Sequence, residues 1–231
     1  MGRKWIFVLT VVLFLCIAPI AAAASYWDRM GSGFPNREQI YSHVYEYEHP
    51  LLTFSIRIPQ LTGAAAGAWQ AQFNKEIRDF AESFTEELKE IVRSSEEAGI
   101  EFRAPYQGLI DFAVKLNRGG LLSVVITAYN YTGGAHGITT RDYINLDLTT
   151  GKTIQFADLF PTESERERAA EVVNARIQED PDWFFISRFT PDMFRSDQGF
   201  YLEQERAVIC FELYEIAPYA AGIQEFAVSA P

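Results

Sequence analysis

The stretch GLIDFAVKLNRGGLLSVVITAYNY, residues Gly108 to Tyr131, decides the fold. In its first half Gly108, Ile110, Phe112, Val114 and Leu116 alternate with Leu109, Asp111, Ala113 and Lys115. Side chains of a strand point to opposite faces in turn, so this alternation predicts a strand. Leu121 to Tyr131 returns as a second strand. Between them, Asn117-Arg118-Gly119-Gly120 ends in two glycines that supply the positive φ of a tight hairpin turn.

Working upstream, Trp69, Phe73, Ile77, Phe80, Phe84, Leu88 and Ile91 recur every three or four positions. That spacing predicts one long amphipathic helix with Phe80 at the centre of its apolar stripe. Gly99 ends it, as helix C-termini prefer. Tyr41 to Glu48 and Leu52 to Ile58 precede it and read as strands parted by Pro50. Residues 25–40 are polar, with Gly31, Gly33 and Pro35, and are expected to form a flexible lead-in.

Downstream, Thr139 to Leu148 alternates again. Thr162-Glu163-Ser164-Glu165 is a capping box that opens a shorter amphipathic helix with Ala169, Val172, Val173 and Ile177 on one side. Strands are expected over 199–204, 206–214 and 223–228. Strand and helix do not alternate regularly. The fold class is therefore α+β, a mostly antiparallel sheet with one long and one shorter amphipathic helix packed on it.

The N-terminus has its own logic. Arg3 and Lys4, an apolar run from Trp5 to Ile20, and Ala21 to Ala24 have the order of an export signal. The run is short of the ~20 residues that a spanning helix needs. Cleavage is expected near Ala24, which leaves the rest of the chain free of membrane. Leu15 ahead of Cys16 argues against lipidation. The whole chain carries a net charge of −11, and loss of Arg3 and Lys4 makes it more acidic still. Acidity of this size argues against nucleic acid as a partner and favours a cationic one. Cys210 is then the one cysteine left, in the apolar run AVICFEL, so it reads as a core residue without a base to activate it.

Two segments carry a family resemblance. One is YTGGAHG, Tyr131 to Gly137, followed by NLDLTTGKTI, Asn145 to Ile154, and by Asp158-Leu159-Phe160. The other is YEIAPYAAG, Tyr214 to Gly222. Together they resemble the C-terminal module of the RsiV-like family. That family includes the extracytoplasmic part of the anti-sigma factor RsiV and the module ahead of the catalytic domain in the peptidoglycan deacetylase PdaC. Residues 41–130 are similar to the N-terminal module usually paired with it. The resemblance implies an organisation of signal peptide (1–24), lead-in (25–40), N-terminal α+β module (41–130) and C-terminal RsiV-like module (131–231). It also implies an extracytoplasmic binding or sensing module, with a lysozyme-like cationic protein as the expected partner. It carries over no catalytic residues.

The candidate binding residues are Tyr131, Gly133, Gly134, His136, Gly137, Pro218 and Tyr219. Three glycines beside one histidine let the backbone approach a ligand and expose the imidazole. The same pattern also suits a sharp bend in which His136 caps a backbone group. His43 and His49 share a strand face but stand too far apart for one metal. No Cys, His and carboxylate spacing suits zinc, and no nucleophile turn or phosphate loop is present, so no cofactor, metal or catalytic residue is assigned. The aromatic residues of the C-terminal half leave a glycan-binding module as the second reading, and a carboxylate-based hydrolase as a third.

Overall fold

The computed structural model describes residues 25–31, 34–63, 67–102 and 104–230. The export signal expected over 1–24 lies outside them. In chain order the elements are α1 (Tyr26–Gly31), β1 (Gln39–His49), β2 (Leu52–Thr62), α2 (Gly67–Glu97), β3 (Tyr106–Arg118), β4 (Leu121–Tyr131), β5 (Ile138–Asp147), β6 (Lys152–Thr153), α3 (Phe156–Leu159), α4 (Glu163–Glu179), β7 (Phe200–Glu203), β8 (Arg206–Phe211) and β9 (Gln224–Ser229). The class is α+β, as the alternation predicts.

The expected hairpin is the centre of the molecule. Gly119 and Gly120 turn it with φ of +61° and +71°. β3 and β4 pair antiparallel inside a six-stranded sheet of order β1-β2-β3-β4-β5-β6. One junction departs from the antiparallel rule. β2 and β3 run parallel, because α2 carries the chain back to the starting end. A second sheet, β7-β8-β9, is wholly antiparallel.

Strand alternation then builds layers. On β4, Leu122, Val124, Ile126 and Ala128 are buried with the α2 face of the sheet. Val125 lies on the other face, against Val208 and Cys210 of the second sheet. β8 repeats the device: Ala207, Ile209 and Phe211 face the core that holds Ala169, Val173 and Ile177 of α4. The order is therefore α2, first sheet, second sheet, α4. A strand buried on both faces needs polar residues only where they are bonded, and Ser123 meets that condition. Its Oγ donates to Asn145 Oδ1 at 2.7 Å and accepts from the Leu202 N–H at 2.9 Å. Asn145 Nδ2 donates to the Phe200 carbonyl at 2.8 Å. These bonds join the sheets. The boundary expected at 130/131 falls at the last residue of β4, which pairs with β3 on one side and β5 on the other.

Two expectations need correction. The lead-in is not a loose polar segment throughout, because α1 forms within it. Its Trp27 and Met30 are buried in the second core. Trp27 Nε1 donates to the Leu159 carbonyl at 3.2 Å. Arg29 donates to both oxygens of Asp147, at 2.9 and 2.8 Å, and to the carbonyls of Gly119 and Gly120. Phe80, for its part, is not the centre of the helical stripe. The buried line of α2 runs through Phe73, Ile77, Ala81, Leu88 and Val92, and Phe80 and Phe84 pack only partly against it.

The ends of the helices follow the sequence. Gly99 N–H donates to the Glu96 carbonyl at 3.0 Å and Ile100 N–H to that of Ser95 at 2.9 Å, which is a Schellman closure. Thr162 Oγ1 accepts from the Glu165 N–H at 3.3 Å, and Glu165 accepts from the Thr162 N–H at 2.9 Å. Cys210 is only 1 % exposed, as its apolar strand predicts.

Candidate functional site

Residues 131–137 join β4 to β5, and residues 214–222 lie between β8 and β9. Far apart in sequence, they meet in the fold. The Tyr219 ring lies on the His136 imidazole, with centres 4.0 Å apart and planes 23° from parallel. Tyr214 extends the row, its ring centre 5.7 Å from that of Tyr219. Tyr219 Oη donates to the Gly137 carbonyl at 3.0 Å. His136 Nδ1 lies 2.9 Å from the same oxygen, a contact that calls for the proton on Nδ1. Gly137 has room for no side chain: a Cβ there would stand 2.4 Å from the Asn130 carbonyl oxygen and from the Tyr129 ring.

The remaining expected residues have supporting roles. Tyr131 Oη donates to the Gly134 carbonyl at 3.1 Å, inside its own loop. Gly133 and Gly134 bend that loop. The Pro218 carbonyl accepts from the Ala221 N–H at 2.9 Å and opens the short 3-10 turn Tyr219–Ala221. The structure thus joins His136, Gly137 and Tyr219 directly. His136 bonds a backbone carbonyl, the capping role read from the sequence, and its ring also carries that of Tyr219.

Tyr214 completes the row and was not among the expected residues. It is 53 % exposed, yet its backbone sits at φ +67°. A bulky residue in the left-handed region is strained by of order 1–3 kcal/mol, and it persists only where its surroundings enforce it. Here the turn does so. Glu215 N–H donates to the Glu212 carbonyl at 3.0 Å, and Glu212 N–H donates to Glu215 Oε2 at 2.8 Å. The strain holds an aromatic ring out toward solvent. Trp183 and Phe185, 49 % and 59 % exposed, lie nearby. Trp183 shares a shallow hollow with Ala220 and Ala221, and Phe185 N–H donates to the Ile216 carbonyl.

Behind the row, a groove of about 180 Å³ runs between Ile138–Arg141 and Glu212–Tyr214. It adjoins a polar cleft of about 320 Å³ between the two sheets, lined in part by Arg141, Tyr143, Arg195 and Glu212. Tyr143 Oη donates to Glu212 Oε1 at 2.8 Å, and burial pushes both groups above their ordinary pKa. Arg141 pairs with Glu225, and Arg195 with Glu215 and Asp197. Burial also raises the Cys210 thiol to about 12, so at neutral pH it is no nucleophile. Among the described residues, no three His, Cys, Asp or Glu side chains are grouped to hold a metal. Arg141, Tyr143, Arg195 and Glu212 were not singled out from sequence, although Cys210 at the same cleft was read there as a core residue. The signal that could have found them is the period of β5, which places Arg141, Tyr143 and Asn145 on one face. This end of the molecule thus sets solvent-facing rings beside a cleft whose arginines are paired with carboxylates.

Two family models match side by side. "Deacetylase PdaC" matches residues 45–139, and "Protein of unknown function (DUF3298)" matches residues 157–230. The first ends just past the 131–137 loop, and the second takes in the 214–222 segment. Two crystal structures of DUF3298 family proteins are similar in fold. One, from Bacteroides fragilis NCTC 9343, is 18 % identical with a TM-score of 0.59, covering 87 % of this chain and 91 % of that one. Another, from Pseudomonas aeruginosa PAO1, is 17 % identical with a TM-score of 0.57, covering 85 % and 91 %. No curated protein matches the chain. Together the two family matches support a module of the PdaC/DUF3298 type.

Proposed function

We propose that this chain is an extracytoplasmic recognition module for a cationic protein of the cell envelope, freed from its 1–24 segment by cleavage near Ala24. The resemblance to the RsiV-like family suggests lysozyme as the class of partner. The observation that carries the reading is the row of His136, Tyr219 and Tyr214, open to solvent at His136 and Tyr214, built by two distant loops, with Glu212 and Glu215 bracketing Tyr214 in its turn. A lysine or arginine laid on such a ring gains about 0.5–1 kcal/mol at an exposed site and about 2 when desolvated. Arg141 and Arg195 are paired with Glu225, Glu215 and Asp197, so neither arginine stands as an uncompensated charge against a basic partner. The net charge of −11 speeds encounter with a basic protein over longer range.

The test is calorimetry against an animal-type lysozyme at ~0.15 M salt, where screening beyond about 8 Å removes long-range attraction but leaves a packed interface. Binding should persist there and be absent for an unrelated basic protein of similar size. Tyr214→Ala should weaken it at least about tenfold, or about 1.4 kcal/mol. Binding that disappears at that salt, or that the control protein matches, rejects the reading. The second reading, a glycan ligand, draws on exposed Trp183 and Phe185 beside the same turn, because sugar rings stack on such faces. Soluble peptidoglycan fragments in place of lysozyme distinguish it.

A further inference from the structure

β1 is one margin of the six-stranded sheet, and among the described residues nothing pairs with its outer edge. Natural edge strands are kept short, bulged or protected by lysine or proline. Of the charged side chains that can also guard an edge, β1 has only Glu46 and Glu48. It is 11 residues long, lacks Lys and Pro, and keeps an unbroken register with β2 from Gln39↔Thr62 to His49↔Leu52. Tyr41, Val44 and Tyr45 are exposed on it, Val44 at 56 %. The inference stands on a surface separate from the aromatic row and is independent of the lysozyme reading.

We propose that this edge pairs with the same edge of a second copy, antiparallel about a two-fold axis at Val44, so that two sheets become one. The strand's own sequence names the occupant. Val44 is the midpoint of Gln39–His49, so only this register pairs every residue of both strands. Tyr41 then meets Tyr47 and His43 meets Tyr45 on one face, which are favourable aromatic cross-strand pairs. That face is the helix side, because His43 and Tyr45 line the groove beside Ala81 and Lys89 of α2. On the other face Val44 meets itself, Ser42 meets Glu46 and Ile40 meets Glu48. Each carboxylate faces an uncharged side chain. Moving the axis to Glu46 or Tyr47 would oppose two glutamates and shorten the overlap. An isologous contact of this kind closes at two copies. Both copies carry the same net negative charge, so salt should strengthen the association, the reverse of a charge-driven contact.

Sedimentation of the purified chain at low and at moderate salt tests this. The expected species has twice the mass of the chain, more populated at the higher salt. Val44→Lys apposes two lysines at the axis and should return the monomer, with an unchanged circular dichroism spectrum because the side chain is exposed. Val44→Cys brings two Cα atoms to about 4.5–5.5 Å, within disulfide range, and should form a cross-linked dimer under mild oxidation. Glu48→Cys faces Ile40 of the other copy and should not. A monomer at every concentration and salt overturns the proposal. So does a dimer that survives Val44→Lys, or one that cross-links equally through Glu48→Cys, because either places the contact elsewhere. Capture of an extended strand from another protein would appear as a monomer that binds that strand, and also counts against it.

Discussion

Arg29 and Asp147 stand 118 positions apart, and no local pattern in the sequence links them. Yet Asp147 organises the turn after β5 and ties it to α1. Its Oδ1 accepts from the Thr149 N–H at 2.9 Å while both oxygens accept from Arg29. The Arg29 guanidinium holds the carboxyl at about 2, below its ordinary range. A carboxyl with a depressed folded-state pKa stabilises the fold above its unfolded value of about 3.9. That contribution is lost as pH falls from there through about 2. The side chain is only 7 % exposed, so solvent screening is slight, and the shift corresponds to on the order of 2 kcal/mol. Urea titrations at pH 7 and pH 3 should show the wild-type chain losing part of this. Asp147→Asn should already lack it at pH 7 and lose less on acidification. Equal pH profiles for the two chains would show that the pair contributes nothing. Residues whose roles are local, such as Thr162 with Glu165, were legible in the sequence. Arg29 was not, because it acts through a partner that only the fold supplies.

Among the elements, α2 shows how far periodicity reaches. The apolar spacing located the helix and its Gly99 terminus, but not its rotation on the sheet. Its stripe is wider than one row, and the largest side chains suggested the wrong centre. In the fold, small Ala81 lies on the sheet side of the helix, where it lines a groove with Ile56 and Ile58 of β2. Phe80 and Phe84 reach the core from the margin of the stripe. Leu88, by contrast, is 2 % exposed and would touch any Cβ added at Gly108 of β3. Leu88→Ala should therefore destabilise by about 2–5 kcal/mol, with Phe80→Ala well below the usual 3–5 kcal/mol of a fully buried ring. The ratio of urea midpoint shifts checks this, and an equal or larger loss for Phe80→Ala would restore the sequence-based centre. The parallel pairing of β2 with β3 was equally hidden, since alternation reports which face a residue takes but not which strand lies beside it.

For the whole molecule, the segments 41–130 and 131–231 read in the sequence as separate modules. The candidate loops were legible because glycine, histidine and tyrosine mark them. Their meeting was not, because His136 and Tyr219 converge only once the second sheet lies on the first. That contact also decides how the chain unfolds. β4 is buried on both faces, with Val125 against Val208 and Cys210, and Ser123 bonded both to its neighbour Asn145 and to Leu202 across the layers. Neither sheet can separate without exposing apolar surface and breaking the bonds to the Leu202 N–H and Phe200 carbonyl, each worth about 0.5–1.5 kcal/mol net. The expected outcome is one cooperative transition. Urea unfolding followed through Trp69, which packs with the α2 core, should coincide with unfolding followed through Trp27 in the α4 core, each read in a chain whose other tryptophans are phenylalanine. Ser123→Ala should shift both midpoints together, because it leaves the Leu202 donor without its acceptor. Transitions that separate, or a Ser123→Ala shift confined to one probe, would mean that the sheets fold as two units resting against each other. The His136–Tyr219 row would then open and close with their contact.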